Sequence, residues 1–287
     1  MLKLSQRVFT RKSRILPSFI IIGAPRAGTT SLYAYLIVHP NVLSASRKET
    51  AFFNYAYHVN LDWYRLYFPT IMEGARIKNK RNIHTLITGE ATPSYLIDPR
   101  VPQRVFKKLP KMKLIILLRN PVDRAISHYH HNVLSGIETL SFEEAINQES
   151  FRINESFEEI KKDRTIYDDS TVSYFFRLLK FQPKNYFKFS YLNSGMYYEH
   201  IKNWTKVFPE EQLLIMKSED FFNNPKSCFK QVQEFLDLPY FDIERYNRHF
   251  EIKYPPISDN LRNSLIKYFE PHNEKLYKFL NKDFEWK

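Results

Sequence analysis

Four apolar residues, Phe19 to Ile22, run straight into the small-residue turn Gly23-Ala24-Pro25-Arg26-Ala27-Gly28, and Thr29 then begins a helical pattern. Three of the four are β-branched, which suits a strand buried on both faces. Leu32, Tyr35 and Leu36 fall at i, i+3 and i+4, and His39-Pro40 closes the helix because the residue before proline leaves the α region. In a strand, glycine turn and helix taken in direct succession, backbone N–H groups and a helix N-terminus hold a phosphate.

The spacing resembles G-x-x-x-x-G-K-[ST], with one decisive departure. Gly23, Gly28 and Thr30 match, but Thr29 stands where the lysine should be, and the cation of the turn is Arg26. A nucleoside triphosphatase needs that lysine on the β- and γ-phosphates. The loop therefore reads as built for phosphate without triphosphate hydrolysis; a plain glycine turn joining strand to helix is the alternative that spacing alone leaves open.

Further apolar runs read as core strands at Val42–Ser44, Leu86–Thr88, Leu114–Leu118 and Leu213–Met216, with helical patterns between them. Strands alternating with helices imply an α/β fold with a mainly parallel sheet. The expectation is a P-loop-like three-layer sandwich, its sheet flanked by helices, in one domain over 17–287 behind a basic extension, 1–16. A chain of 287 residues has ample length for one such core. Cys228, the single cysteine, excludes an internal disulfide and any cysteine-based zinc site, and its helical neighbours read as core. No run reaches the roughly 18–20 apolar residues of a membrane span, and residues 1–14 lack the apolar stretch of a secretory signal. A cytoplasmic location is the expectation. The net charge of +12 favours anionic partners.

The fourth strand opens a second unit, Leu114-Ile-Ile-Leu-Leu-Arg-Asn-Pro-Val-Asp-Arg-Ala-Ile-Ser-His-Tyr129. Asn120 caps a helix, Pro121 takes its first position, and Gly136 lies where it should stop. Arg119 stands at the carboxyl end of a core strand, in the usual ligand crevice, and Ser127 follows two turns along the helix. Arginine suits forked recognition of phosphate; a carboxylate partner is the other reading. Glu49, in Ser46-Arg-Lys-Glu-Thr-Ala-Phe-Phe-Asn54, sits beside two cations ahead of a buried-looking Phe52-Phe53 pair. Taken alone it reads as a cap or a solvated charge. Glu90 enters a polar, proline-bearing turn after the third strand, as ligand contact or structural acceptor in equal measure. His128, His130 and His131 do not share one helix face, so a metal site is not expected there.

Leu61–Phe68 reads as a short amphipathic helix ended by Pro69, and Ser141-Phe-Glu-Glu144 as a capping box. Residues 147–188 read as peripheral helices and loops on the rim of the site. Helices follow around Ile201, Trp204 and Phe208 and from Asn224-Pro225; Arg248–Pro256 reads as a loop. Ser258 then caps a last helix that Pro271 is expected to interrupt.

Two phosphate-directed units without a Walker lysine resemble the sulfotransferases that use 3′-phosphoadenosine 5′-phosphosulfate (PAPS), heparan-sulfate-type and bacterial members above all. The likeness covers nearly the whole chain. Gly23-Ala-Pro-Arg-Ala-Gly-Thr-Thr30 is similar to the family's 5′-phosphosulfate loop, which implies contacts from Ala24, Pro25, Arg26, Ala27, Gly28, Thr29 and Thr30. Lys48-Glu-Thr-Ala-Phe-Phe-Asn54 is similar to the segment with the catalytic base, which implies that role for Glu49. Leu118-Arg-Asn-Pro-Val-Asp-Arg-Ala-Ile-Ser-His-Tyr129 is similar to the 3′-phosphate motif, which implies Arg119 and Ser127 as ligands. Tyr254-Pro-Pro256 and the stretch to Trp286 also follow the family pattern.

Three departures stand out. Arg26 replaces a usual loop lysine and, because it keeps its proton, would stabilise the leaving group by charge. Ala91 replaces a lysine of some members. The glycine-and-lysine cofactor loop is not reproduced, so Lys253 or Arg248 becomes its substitute. The family's anchoring segment and disulfide are also missing, which fits a soluble, bacterial-type enzyme. The implied activity is sulfuryl transfer from PAPS to a hydroxyl or amine of a saccharide or another hydroxylated small molecule, with no metal and no nucleic-acid partner. A nucleotide-dependent phosphotransferase and a basic non-enzymatic module binding glycan or nucleic acid remain the alternatives.

Overall fold

The computed structural model describes residues 7–57, 59–162, 184–248 and 254–286. Five strands, β1 (Phe19–Gly23), β2 (Val42–Ser44), β3 (Ile87–Ala91), β4 (Lys113–Leu118) and β5 (Leu213–Lys217), form one sheet in the order β2-β3-β1-β4-β5. Every pairing is parallel. β1 lies at the centre, with Phe19 opposite both Gly89 and Lys113, and all five of its residues are buried. Each such apolar side chain taken from water contributes about 1.5–3 kcal/mol, so the run that opens the sequence also anchors the core.

Helices flank this sheet. In chain order they are α1 (Thr29–Val38), α2 (Phe52–Tyr55), α3 (Leu61–Arg65), α4 (Ile71–Arg81), α5 (Val101–Lys108), α6 (Pro121–Leu134) and α7 (Phe142–Asn147). They continue with α8 (Glu149–Lys162), α9 (Asn185–Phe189), α10 (Tyr197–Thr205), α11 (Ser218–Asn223), α12 (Pro225–Phe235) and α13 (Asp259–Leu280). The Asn120 and Ser141 caps form as their residues dictate, the latter a full capping box. Cys228 is buried in the core, as read.

Three expectations need correction. The third strand does not end at Thr88: Gly89, Glu90 and Ala91 pair with Phe19, Ile20 and Ile21. Gly-Glu-Ala carries no apolar pattern, and the sheet accepts Glu90 because side-chain donors surround it. The helix from Leu61 is regular only to Arg65; i to i+3 bonds from Leu66, Tyr67 and Phe68 then tighten it before Pro69. Pro271 does not interrupt the last helix, which runs unbroken from Asp259 to Leu280. Pro271 lies on its exposed side, while Leu265, Phe269, Asn273 and Leu276 keep one buried face.

Glu149, at the start of α8, is buried and accepts bonds from the backbone N–H groups of Leu192 (2.6 Å) and Asn193 (2.7 Å). Those bonds favour the carboxylate, yet burial outweighs them and pushes the group up to about 7. A carboxyl raised in the folded state holds a proton that the unfolded chain has released. Its contribution to stability is therefore present below the ordinary value of 4.5 and is lost as pH rises towards 7. Melting temperature should fall across that window in the wild type, and Glu149→Gln should flatten this part of the slope. An unchanged slope in the variant would assign the pH dependence elsewhere.

Candidate active site at the carboxyl ends of the first and fourth strands

The chain leaves β1 towards β2 and β3 and returns to the other side with β4, so the sheet order reverses between β1 and β4. In open α/β sheets the crevice beyond that reversal takes the ligand. A cavity of about 720 Å³ opens there, and Pro25, Arg26, Gly28, Thr29, Thr30, Glu49, Arg119 and Ser127 all line it. Ala24 and Ala27 stand behind its wall, fully buried, where the Ala24 N–H donates to the Leu117 carbonyl (2.7 Å). Lys253 lies outside the described residues; Arg248 lines the cavity, its guanidinium 4.8 Å from the Phe222 ring centroid.

Gly28 caps α1 with φ +94°, a left-handed conformation that side chains avoid, and a Cβ there would lie 2.7 Å from the Phe222 ring. No side chain caps α1 and no acidic residue occupies its first turn. The positive dipole end of α1 at Gly28, Thr29 and Thr30 therefore lies on the cavity lining with no acidic residue in its own first turn. Thr29, at the place of a Walker lysine, is buried.

Two arginines converge on this point from adjacent strands. Arg26 Nε donates to Ser127 Oγ (3.3 Å), and Arg119 Nη1 donates to the Arg26 carbonyl (3.1 Å). Arg119 is steadied by Tyr254, whose hydroxyl accepts from Nη2 (3.4 Å), and by Tyr197, which donates to the Arg119 carbonyl (2.7 Å). Burial lowers the Arg26 guanidinium below its ordinary value, and the neighbouring Arg119 charge lowers it further. Among the described residues neither arginine forms an ion pair with a carboxylate. Two half-buried like charges beside an uncapped helix end are arranged for an anion that the chain itself does not provide.

Glu49 approaches from the other side. Its backbone has φ +62° and its N–H donates to the Ala91 carbonyl (3.0 Å). The half-exposed carboxylate meets Lys48 Nζ at 2.7 Å; burial lowers both Arg26 and His131 below their ordinary values, and the Glu49 charge opposes part of that. Glu49 shares the cavity lining with the guanidinium pair and with two further carboxylates, Asp123, paired with Arg262 at 2.8 Å, and Glu219, which accepts from the Asn120 N–H at 2.8 Å. Beyond Glu49 the wall continues through Arg47, Tyr55, Ser94, His131, Phe187 and Lys188.

The three histidines differ in surroundings, although His128 and His131 both reach the cavity lining. His128 is buried with its ring 5.0 Å from that of Tyr191, and burial holds it well below the ordinary value and therefore neutral. His130 stacks on Tyr254 at 4.7 Å, and His131 faces the cavity. Among the described residues no group of three or more His, Cys, Asp and Glu could hold a metal. The place of His131 had a signal in the sequence, since it follows Ser127 at i+4 on one helix face. Lys188 had none: it belongs to the short α9 in a stretch without periodicity.

The comparisons agree with one another. A family model described as "Sulfotransferase domain" matches residues 16–282. The chain is similar to a membrane-associated sulfotransferase, kil1, of Dictyostelium discoideum: 30% identical over 94% of this chain and 66% of that protein. It is 27% identical to heparan sulfate glucosamine 3-O-sulfotransferase 3A1 of Mus musculus, over 96% of this chain and 65% of the relative. It thus spans slightly less than two thirds of the length of both. Among solved structures, a sulfotransferase from Alicyclobacillus acidocaldarius superposes with a TM-score of 0.68 at 26% identity, covering 94% of this chain and 98% of that one.

Proposed function

The chain belongs to the sulfotransferase domain family, and from that premise we propose that it moves a sulfuryl group from PAPS to a hydroxyl or amine of a saccharide, with Glu49 as base. The observation that carries the donor reading is the pair Arg26 and Arg119, without carboxylate partners among the described residues, beside the open N-terminus of α1. A nucleotide with phosphate at two separated positions answers that arrangement better than a triphosphate, for which the place of the lysine is taken by buried Thr29.

Sulfuryl transfer proceeds in line, so catalysis rests on position and on charge at the leaving oxygen. Glu49 takes the proton of the acceptor as its oxygen or nitrogen bonds to sulfur. The bond from sulfur to the phosphate oxygen breaks, and its electron pair stays on the phosphate, where Arg26 and the N–H groups around Gly28 to Thr30 stabilise it. Arg119 and Ser127 hold the 3′-phosphate. For the acceptor, the wall with Tyr55 and Phe187 offers ring faces suited to sugars, and Arg47 and Lys188 offer charge. The names of similar proteins support the saccharide class.

Calorimetric titration with adenosine 3′,5′-bisphosphate, ADP and AMP tests the donor. The bisphosphate should bind best, and Arg119→Ala should weaken it by about tenfold to a hundredfold, the range for a lost hydrogen bond between charged groups. The same variant should leave AMP, which lacks the 3′-phosphate, nearly untouched. Equal binding of ADP and the bisphosphate would remove the 3′-site reading.

A further inference from the structure

Glu90 is fully buried in β3, has no part in the transfer step, and forms no ion pair among the described residues. Its Oε1 accepts from Tyr64 OH (2.7 Å), Thr50 Oγ1 (2.8 Å) and Tyr95 OH (3.2 Å). Its Oε2 accepts from Thr92 Oγ1 (2.6 Å) and the Thr50 N–H (3.3 Å). Desolvation of this kind is expensive: burial holds the carboxyl above its ordinary value, and the hydrogen bonds offset part of that cost.

The bonds from Thr50 belong to a pattern. Three consecutive N–H groups, of Glu49, Thr50 and Ala51, donate in turn to the Ala91 carbonyl, Glu90 Oε2 and Thr92 Oγ1. Glu49 and Ala51, on either side of Thr50, have φ of +62° and +51°. Left-handed backbone costs a residue with a side chain roughly 1–2 kcal/mol, so local preference does not make this turn. The carboxyl end of β3 imposes it, with Thr50 gripped through both its N–H and its hydroxyl.

We propose that Glu90 is a positioning residue for sulfuryl transfer: through Thr50 it fixes the Glu49–Ala51 turn and with it the direction of the Glu49 carboxylate in the cavity. The proposal rests on Glu49 as base. Tyr64 and Tyr95 close the arrangement from the core side, where Phe53 lies 5.2 Å and 5.8 Å from their ring centroids.

Thr50→Val removes the hydroxyl at nearly constant volume and leaves Glu90 in place. Turnover should fall by about tenfold to a hundredfold, the effect of a small misplacement at a reacting group. Affinity for adenosine 3′,5′-bisphosphate should stay near wild type, the melting temperature should drop by a few degrees because Glu90 loses a buried donor, and Thr50→Ser should recover most of both losses. In a Glu49→Gln background Thr50→Val should add no further loss, because the carboxylate it aims is gone. Glu90→Gln, which must turn an amide towards one of the donors, should reproduce the turnover loss if it folds. Full turnover in Thr50→Val, or an equal loss with and without Glu49, would overturn the positioning role while leaving the base in place. Full turnover in Glu49→Gln alone would instead refute the base, and the positioning role with it.

Discussion

Glu49→Gln is expected to lose about a thousandfold in turnover, within the range for removal of a general base, with affinity for adenosine 3′,5′-bisphosphate preserved. Among the described residues the carboxylate pairs with Lys48 and forms no hydrogen bond or ion pair with Arg119, Ser127 or the donor loop. The amide keeps the volume and the backbone anchor on Ala91, so only proton acceptance is removed. Release of the bisphosphate from PAPS in the presence of a saccharide acceptor measures the rate. A variant that retains most of its turnover would exclude Glu49 as base and direct attention to His131, which shares the cavity wall.

Arg26→Ala is the second large effect. Removing a preorganised charge from the site where negative charge develops costs about a hundredfold to a thousandfold in turnover. Arg26 occupies φ +68° and gives its Nε to Ser127, so the backbone holds the guanidinium at the loop before any substrate arrives. Arg26→Lys keeps the charge without the fork and should restore only part of the rate. The informative contrast is between rate and affinity. A loss confined to binding, with saturating turnover intact, would make Arg26 a donor ligand with no share in stabilising the leaving phosphate.

Much of this site is legible in the chain because its two halves are local. Gly23 to Thr30 and Arg119 to Ser127 each follow a core strand and begin a helix, so strand propensity, capping chemistry and spacing place them without knowledge of anything distant. Position at the end of a parallel strand then puts them in the crevice on topology alone. Glu49 differs: its residues alone read as a cap or a solvated charge, and only the family likeness of the surrounding segment gave it a role.

By itself the amino-acid order determined that there are five strands, the turn at Gly28, the caps at Asn120 and Ser141, and the two strand–turn–helix units of the site, all set by interactions within a few residues. The tertiary structure alone decided that Glu90 is a buried acceptor within β3 and that α13 runs through Pro271. It also brought Lys188 to the cavity of Glu49. Each of these depends on a partner far along the chain: Thr50 lies 40 residues before Glu90, and the face of α13 that keeps Phe269 buried meets α6 and α10. Burial and hydrogen bonding between segments so separated are properties of the packed chain, and no local pattern encodes which segment will be there to satisfy them.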